Sequence, residues 1–215
     1  MNVRTLLLVT LTMFLISPAI SLTSYLNSLI TLPEWMAPIE QWMKSTETAA
    51  AEFTNKMLSE KGILALCSNL FVIALVAGIT EEFFFRGTLF SILQKAIKNH
   101  HMVIWLVAVF FSAIHFQFYG FIPRMLLGAY LGYLLFWTKN IWIPVFAHIL
   151  NNAVAVIAMS NDSLKDNTFF AETIPAKDLT WFSIVAIISF IFFLAGAAII
   201  RKTTYQIKTT HPAEH

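Results

Sequence analysis

The chain has 215 residues, of which 58% are hydrophobic and only 12% are charged, so its composition is far from that of a soluble globular domain. The net charge of +2 is too small for a basic nucleic-acid-binding surface, and no nucleic-acid partner is expected. The single cysteine, Cys67, excludes an intrachain disulfide. We therefore expect an integral membrane protein in contact with the lipid bilayer.

The N-terminal region is apolar and has two interpretations. Its apolar core over Leu6–Ile16 is as short as that of a secretory signal peptide, which would make residues 1–20 a cleaved signal. We favour an uncleaved first span over Thr5–Leu32. The next segment, Glu34–Lys61, is polar, but its apolar residues recur at near-helical spacing, which predicts an interfacial amphipathic helix and a loop.

The rest of the chain is predicted to form further helices. The uncharged run Gly62–Thr80 continues through a charged cluster into Gly87–Ile97, and the whole is too long for one straight span of about 20 residues. We expect a tilt, a break near Gly78 or Gly87, or a helix that leaves the bilayer. The remaining helices are predicted over Met102–Pro123, Met125–Thr138, Ile141–Ser160 and Leu179–Ile200.

These segments predict an all-α fold, a polytopic transmembrane helix bundle of about six spans plus an interfacial amphipathic helix. No internal repeat is apparent, so residues 1–215 are interpreted as a single integral-membrane domain. A polar loop is expected over Asn161–Asp178, and a basic tail contains Arg201, Lys202 and Lys208. The distribution of Lys and Arg predicts that both termini and the turns at Lys95/Lys98 and Lys139 are cytoplasmic, with Arg124 as the one exception. We expect the protein in the inner membrane of a prokaryotic cell.

The most unusual stretch is Thr80–Arg86, which places two carboxylates and a guanidinium inside an apolar helix. Ionised groups at bilayer depth cost about 2.5 to 3.5 kcal/mol each on insertion scales, so they usually mark a functional site. In a helix Glu82 and Arg86 share a face and suit an ion pair, whereas Glu81 is rotated by about 100°. Glu81 is left without a basic partner and is our candidate general base for activating water.

Two histidines lie in other apolar segments, each with a companion four residues away that shares its face. The pairs are Phe111 with His115 and His148 with Asn152. If a helical hairpin turns near Asn99, Glu81 lies about 18 residues before the turn and His115 about 16 after it, so their depths agree to within about one helical turn. His148 can reach the same pocket from a neighbouring helix.

The motifs Glu81-Glu82-x-x-x-Arg86, Phe111-x-x-x-His115 and His148-x-x-x-Asn152, in this order, resemble the three motifs of the CPBP intramembrane proteases. That family groups the type II CAAX prenyl proteases of the Ras-converting type with bacteriocin-processing and abortive-infection proteins. The similarity includes Gly128–Gly132, which has the small-residue spacing of close helix packing. We expect a protease-like core over about residues 63–160.

The resemblance implies an intramembrane endopeptidase that acts on a membrane-associated peptide or protein, such as a CAAX-type or leader-peptide substrate. In this interpretation Glu81 activates water with the help of His115. His148 and Asn152 stabilise the oxyanion that forms at the scissile carbonyl. Structural or substrate-orienting roles are then left to Glu82, Arg86 and Phe111.

Metal dependence is left open by the residues. Two histidines and one carboxylate can hold a catalytic divalent metal such as zinc, and the chain could supply this set with His115, His148 and Glu81. Against a metal, the chain lacks the His-Glu-x-x-His helix of common zinc proteases. Asn152 is also a poor zinc ligand and a good oxyanion donor. Metal-dependent and glutamate-only catalysis both stay as alternatives.

Two other function classes compete with a protease. A non-catalytic membrane scaffold of the immunity type would keep the polar residues for packing or binding, since a buried ion pair can serve helix register alone. A proton-coupled transporter would use the carboxylates and histidines as a proton relay. The chain shows no paired repeat of broken helices, which transporters commonly use. The sequence does not indicate an oligomeric state.

Overall fold

The computed structural model of the chain describes residues 2–161, 164 and 174–210, with side chains as far as residue 204. These residues are helical and contain no β-strand. The helices are α1 Val3–Ser28, α2 Ala37–Met57, α3 Ile63–Ala96, α4 His100–Ala113, α5 Phe121–Thr138, α6 Trp142–Ser160 and α7 Leu179–Thr210. Five of them are long and apolar enough to cross a membrane, and α4 is a shorter apolar helix. The predicted all-α bundle is confirmed.

The ends of the bundle correct two predicted boundaries. α1 ends at Ser28 rather than Leu32, and the residue before Pro33 is itself disfavoured in a helix. α7 runs on to Thr210, so the basic residues after Ile200 lie on a helix and not in a tail, because no glycine or proline stands between Ile200 and Pro212. Most of the predicted polar loop Asn161–Asp178 lies outside the described residues.

The polar segment after α1 forms the predicted amphipathic helix, α2, preceded by a 3₁₀ turn at Glu34–Met36. Pro38 lies in the first turn of α2, where its missing N–H costs no hydrogen bond. Glu40 accepts a hydrogen bond from the Leu32 N–H at 3.4 Å and pairs with Lys44 at 2.7 Å. This pair raises the pKa of the Lys44 ammonium and lowers the pKa of the Glu40 carboxyl. The main cause of both shifts is the hydrogen bond between the two side chains.

α3 is continuous, so the predicted break at Gly78 or Gly87 is wrong. Two π-helical stretches, Leu70–Val76 and Phe83–Leu89, take its place. Gly78 instead allows α6 to approach closely, because a Cβ at this position would lie 2.7 Å from Cγ1 of Ile149. Wide π turns occur often at functional sites, and here the second one begins directly after Glu82.

α4 ends at Ala113, ten residues short of the predicted end at Pro123. Phe116 adopts a left-handed backbone with φ of 52°, which a right-handed helix cannot accommodate. His115 therefore lies in the loop of residues 114–120 and not on a helix as predicted. The same loop leads into α5 and contacts α2. His115 therefore lies toward the end of the bundle that α2 covers.

Three contacts tie loop 114–120 to α1 and α2. The Asn27 side chain donates to the Phe118 carbonyl at 2.8 Å, and the Tyr119 N–H donates to Oε2 of Glu47 at 3.2 Å. The rings of Trp42 and Phe118 lie 5.1 Å apart between centroids. Residues outside the predicted protease-like core thus support the loop that carries His115.

α5 packs against α1, α4, α6 and α7. Its buried residues Leu131 and Leu134 belong to a core shared with α1, α6 and α7. Toward α4 the small residues matter, because a Cβ on Gly132 would lie 2.9 Å from Cγ2 of Ile104, and one on Gly128 would lie 3.0 Å from Cδ1 of Phe111. The predicted packing role of the Gly128–Gly132 pair within the bundle is confirmed.

Candidate active site

Glu82 lies at the centre of a buried polar cluster between α3 and α6. Its Oε1 accepts hydrogen bonds from Nη1 of Arg86 at 2.7 Å and from Nδ1 of His148 at 2.8 Å. The Glu82 and Arg86 side chains are fully buried, and His148 is 4% exposed. The predicted Glu82–Arg86 ion pair is confirmed. The bond to His148, 66 residues away in sequence, was not predicted, because no local spacing indicates it.

Arg86 also contacts α4 and α5, although its Nε is buried without a hydrogen-bond partner among the described residues. Its Nη2 donates to the Gly128 carbonyl at 2.8 Å, and its Cζ lies 4.7 Å from the centre of the Phe111 ring. A guanidinium over an aromatic face gains a cation–π attraction. The missing Cβ of Gly128 leaves room for this arrangement, since that Cβ would lie 3.4 Å from the same Nη2. Arg86 thereby connects α3, α4 and α5.

Glu81 points to a separate place from Glu82 and is 28% exposed. Its Oε2 lies 4.0 Å from Nε2 of His115 and 3.9 Å from Nε2 of His148. This oxygen is buried and has no hydrogen-bond partner among the described residues. The predicted match in depth between Glu81 and His115 is confirmed by the first distance. The helix α3, loop 114–120 and the helix α6 thus bring one carboxylate oxygen and two imidazoles to a common point.

Both histidines are oriented through their other ring nitrogen. Nδ1 of His115 lies 2.7 Å from the Phe111 carbonyl, and Nδ1 of His148 lies 2.8 Å from the Glu82 carboxylate. Because carbonyl and carboxylate oxygens only accept hydrogen bonds, this network assigns the proton of each neutral imidazole to Nδ1. Nε2 of both rings then faces Glu81 with its lone pair, which allows each to bind a water or receive a proton.

Phe111 forms an aromatic wall of the site. Its ring centroid lies 5.1 Å from that of His115 and 5.7 Å from that of His148, each in an edge-on arrangement. Phe85, the buried member of the three consecutive phenylalanines, packs on the opposite side at 5.2 Å. Phe83 and Phe84 are exposed, at 43% and 57%. The structure places Phe111 where it can fix the orientation of both imidazoles.

Asn152 lies one turn after His148 on α6, but its amide makes other contacts. Its Nδ2 donates to the Ile73 carbonyl at 3.1 Å, within the first π-helical stretch of α3, and its Oδ1 accepts from Asn151 at 3.3 Å. Among the described residues the amide has no hydrogen bond to Glu81, His115 or His148. A primary amide has two N–H donors, so one N–H is left for a ligand.

The convergence of Glu81, His115 and His148 can be tested against the geometry of a metal ion. Ligand atoms around a tetrahedral zinc lie about 3.3 Å apart when each lies about 2.0 to 2.1 Å from the metal. Here the carboxylate oxygen lies 4.0 and 3.9 Å from the two imidazole nitrogens. No group of three His, Cys, Asp or Glu side chains in the described part of the chain has the geometry of a metal site. The residues as placed do not fit the metal alternative.

Sequence reasoning did not include Gln117 and Arg124 in the site. Arg124 lies in the first turn of α5 and donates from Nη2 to Oε1 of Gln117 at 2.6 Å and from Nη1 to the Gln117 carbonyl at 3.5 Å. The signal in the sequence was that Arg124 is the only permanently charged residue between Met102 and Thr138. From the sequence it is interpreted only as the exception to the positive-inside rule.

Comparisons with known proteins bear on the same region. Residues 63–154 match the family model described as type II CAAX prenyl endopeptidase Rce1-like. This range contains every predicted site residue, from Glu81 to Asn152. No solved structure gives a significant match to the chain.

Similar proteins come from two bacteria. The chain is 28% identical over 106 residues to the membrane-embedded CAAX protease MroQ of Staphylococcus aureus, covering 46% of this chain and 43% of that protein. It is 30% identical over 95 residues to the putative membrane peptidase YdiL of Bacillus subtilis, covering 44% and 38%. An uncharacterized Bacillus subtilis protein, YpbD, is 25% identical over 120 residues, covering 54% and 57%. Residues 63–154 are thus similar to the Rce1-like family, and the aligned regions span only between 38% and 57% of the length of these relatives.

Proposed function

We propose that the chain is a membrane endopeptidase that hydrolyses a peptide bond with a water molecule activated by Glu81. The observation that carries the proposal is the convergence of Oε2 of Glu81 with Nε2 of His115 and Nε2 of His148, at 4.0 and 3.9 Å. A water between these atoms would have acceptors for its protons, which an attacking water needs. The match to a family of CAAX prenyl endopeptidases and the similarity to a membrane-embedded CAAX protease support the same conclusion.

In the proposed reaction, Glu81 removes a proton from the water as its oxygen attacks the scissile carbonyl carbon. His115 orients the water through Nε2. The tetrahedral intermediate then loses its C–N bond, and Glu81 returns the proton to the leaving nitrogen, which gives a carboxylic acid and an amine. The role of Glu81 changes from general base to general acid between the two steps, and no metal ion is required.

The oxyanion of the intermediate requires hydrogen-bond donors. We assign this role to His148 and Asn152. His148 can donate from Nε2 only when that nitrogen carries a proton, and the bond between Nδ1 and the Glu82 carboxylate holds the ring in place. Asn152 would contribute the N–H that the Ile73 carbonyl does not occupy. In this account Glu82 and Arg86 position His148.

The substrate we propose is a membrane-associated peptide or protein, with a CAAX-type C-terminus as the first class to test and a leader peptide as the second. The CAAX class follows from the family description and from the name of the relative MroQ. We further propose that residues 1–215 form one membrane domain with the protease-like core at about 63–160. Location in a prokaryotic inner membrane with both termini in the cytoplasm completes the proposal.

The direct test uses the full chain reconstituted in liposomes. Farnesylated CAAX peptides, unmodified CAAX peptides and leader peptides are incubated with the protein, and the products are identified by mass spectrometry. The parent chain should cleave at least one class, whereas Glu81→Gln should lose activity by about 10²- to 10⁴-fold, the usual contribution of a general base. Glu60→Gln, an exposed glutamate outside the site, is the matched control. Full activity of Glu81→Gln would refute the assignment of the base.

A membrane scaffold is the second candidate, and the observation that favours it is the buried cluster of Glu82, Arg86 and His148. Such a network can stabilise a unique packing without catalysis. If the protein is a scaffold, neither the parent chain nor Glu81→Gln should cleave any peptide. Glu81→Gln should then also keep the function of the protein in cells. Loss of that cellular function in Glu81→Gln, with normal folding, would contradict the scaffold.

A further inference from the structure

The site contains two guanidinium groups with different environments. Arg86 is completely buried, pairs with Glu82 and donates to the Gly128 carbonyl. Arg124 is half-buried, and both of its hydrogen bonds go to Gln117, a neutral residue. Among the described residues no carboxylate oxygen lies within 4.0 Å of the Arg124 guanidinium. Arg86 therefore has its anion within the protein, and Arg124 does not.

Arg124 is nevertheless tied to loop 114–120, which carries His115, through its bonds to Gln117. The carboxylates of Glu81 and Glu47 are both close enough to act on its charge. Glu47 is already held by the Tyr119 N–H at 3.2 Å, and Oε2 of Glu81 faces the two histidines. The positive charge of Arg124 also acts on the His115 imidazole, in the loop just before α5. Each of these three titratable groups thus has a role other than pairing with Arg124. Glu47 accepts the Tyr119 N–H, and Glu81 and His115 face the position of the proposed water.

The surroundings of the guanidinium leave room for a ligand. Its Nη2 lies over Gly120, where a Cβ would come within 3.2 Å of it. Gly120 and Gln117, though not Arg124 itself, line a cleft of about 550 Å³ that α2 also lines through Glu40, Lys44 and Glu47. The absence of a side chain at Gly120 keeps the guanidinium close to this cleft. A peptide in the cleft would lie next to the two residues that contact the guanidinium.

A half-buried guanidinium has five N–H donors, and the two bonds to Gln117 occupy only some of them. Charge-assisted bonds from arginine to a carboxylate are about twice as strong as neutral ones and are often bidentate. We propose that Arg124 binds a carboxylate of the substrate peptide beside the scissile bond. The carboxylate is either the C-terminal carboxylate or an acidic side chain. This inference rests on the proposed function and adds a specificity determinant to it.

The test measures binding, so that it does not depend on turnover. The Glu81→Gln chain in nanodiscs is titrated with a fluorescein-labelled, farnesylated CAAX peptide that ends either in a free carboxylate or in a carboxamide. A second pair of peptides keeps the free C-terminus and carries either glutamate or glutamine before the modified cysteine. At least one acidic peptide should bind about 10- to 100-fold more tightly than its neutral partner, as expected for charge-assisted bonds. Which pair shows the difference identifies the source of the carboxylate.

The preference should disappear in Glu81→Gln/Arg124→Gln. It should be only partly kept in Glu81→Gln/Arg124→Lys, because lysine keeps the charge but not the planar fork. Glu81→Gln/Arg201→Gln, with a change at an exposed arginine on α7, is the matched control and should keep the full preference. Equal affinity for acidic and neutral peptides, including no binding of either, would overturn the proposal. So would a preference that survives Arg124→Gln.

A purely structural role of Arg124 predicts a different result. Arg124→Gln would then weaken the acidic and the neutral peptides to the same degree, and the chain would lose thermal stability. Failure of the proposed function is also distinguishable. A parent chain that cleaves no peptide while the carboxylate preference of the Glu81→Gln chain depends on Arg124 would refute the protease and leave the carboxylate site in place.

Discussion

Nδ1 of His148 lies 2.8 Å from Oε1 of Glu82, so the histidine on α6 is oriented by the carboxylate adjacent in sequence to the candidate base. The same oxygen accepts the Arg86 Nη1 bond at 2.7 Å. The Glu82 carboxylate thus binds the Arg86 guanidinium, which stabilises the packing, and the His148 imidazole, which belongs to the candidate site. The neighbouring carboxylate, Glu81, is left free of both bonds and faces Nε2 of the same histidine at 3.9 Å.

Replacing the buried Glu82 should destabilise the protein more than replacing an exposed glutamate. Glu82→Ala leaves Arg86 as an uncompensated buried charge, which typically costs about 3 to 5 kcal/mol. The measurement is thermal unfolding in detergent, followed by circular dichroism. Glu60→Ala, a change at an exposed glutamate outside the cluster, should leave the melting temperature almost unchanged. Equal melting temperatures for Glu82→Ala and the parent would contradict the structural role.

Gly128→Ala should lower both stability and activity. The new Cβ would lie 3.0 Å from Cδ1 of Phe111 and 3.4 Å from Nη2 of Arg86, so the aromatic wall and the guanidinium must shift. Overpacking of this kind usually costs about 1 to 3 kcal/mol. Thermal unfolding and peptide cleavage are measured together. Gly87→Ala is the control, because a Cβ there meets nothing within 4 Å and alanine favours a helix. A variant at Gly128 that is as stable as the parent would refute the close packing.

Asn27→Leu should reduce activity through the loop that carries His115. The Asn27 amide donates to the Phe118 carbonyl at 2.8 Å, and its loss removes one of the three ties between loop 114–120 and the adjacent helices. A hydrogen bond of this kind contributes about 0.5 to 1.5 kcal/mol, so kcat should fall by about 2- to 10-fold with a small change in melting temperature. Steady-state cleavage of the best peptide provides the measurement. Ser28→Ala, whose hydroxyl bonds only within α1, should behave as the parent.

Activity should survive the removal of metal ions. The distances of 4.0 and 3.9 Å around Glu81 are wider than zinc ligands require, and the proposed mechanism routes no step through a metal. Protein purified in the presence of a chelator and analysed for metal content is assayed before and after addition of zinc. Rates within about 2-fold of each other are expected, well below the effect of losing a catalytic metal. Loss of activity on chelation that zinc restores would show that the site rearranges around a metal.

The sequence by itself determined the features that depend on local spacing and on length. Apolar runs predicted the all-α bundle, since a run of about 20 apolar residues spans a bilayer. The four-residue spacing of Glu82 and Arg86 predicted their ion pair, because an α-helix places these side chains on one face. Counting residues from Asn99 predicted that Glu81 and His115 meet, because the helical rise is constant.

Local spacing failed where packing changes the backbone. The left-handed Phe116 takes His115 out of α4, and the π-helical stretches keep α3 continuous past Gly78 and Gly87. Neither feature has a sequence signal of its own, because both depend on contacts between helices. The choice between metal-dependent and glutamate-only catalysis stayed open in the sequence for a related reason, since residue types define a ligand set but not the distances within it.

Only the tertiary structure decided which helices meet around the carboxylates. It brought His148 onto Glu82 and turned the Asn152 amide toward Ile73. These relationships join residues that lie 66 and 79 positions apart in the chain. Their physical basis is side-chain packing between helices, such as the close approach at Gly78, which no periodicity in a single helix can specify.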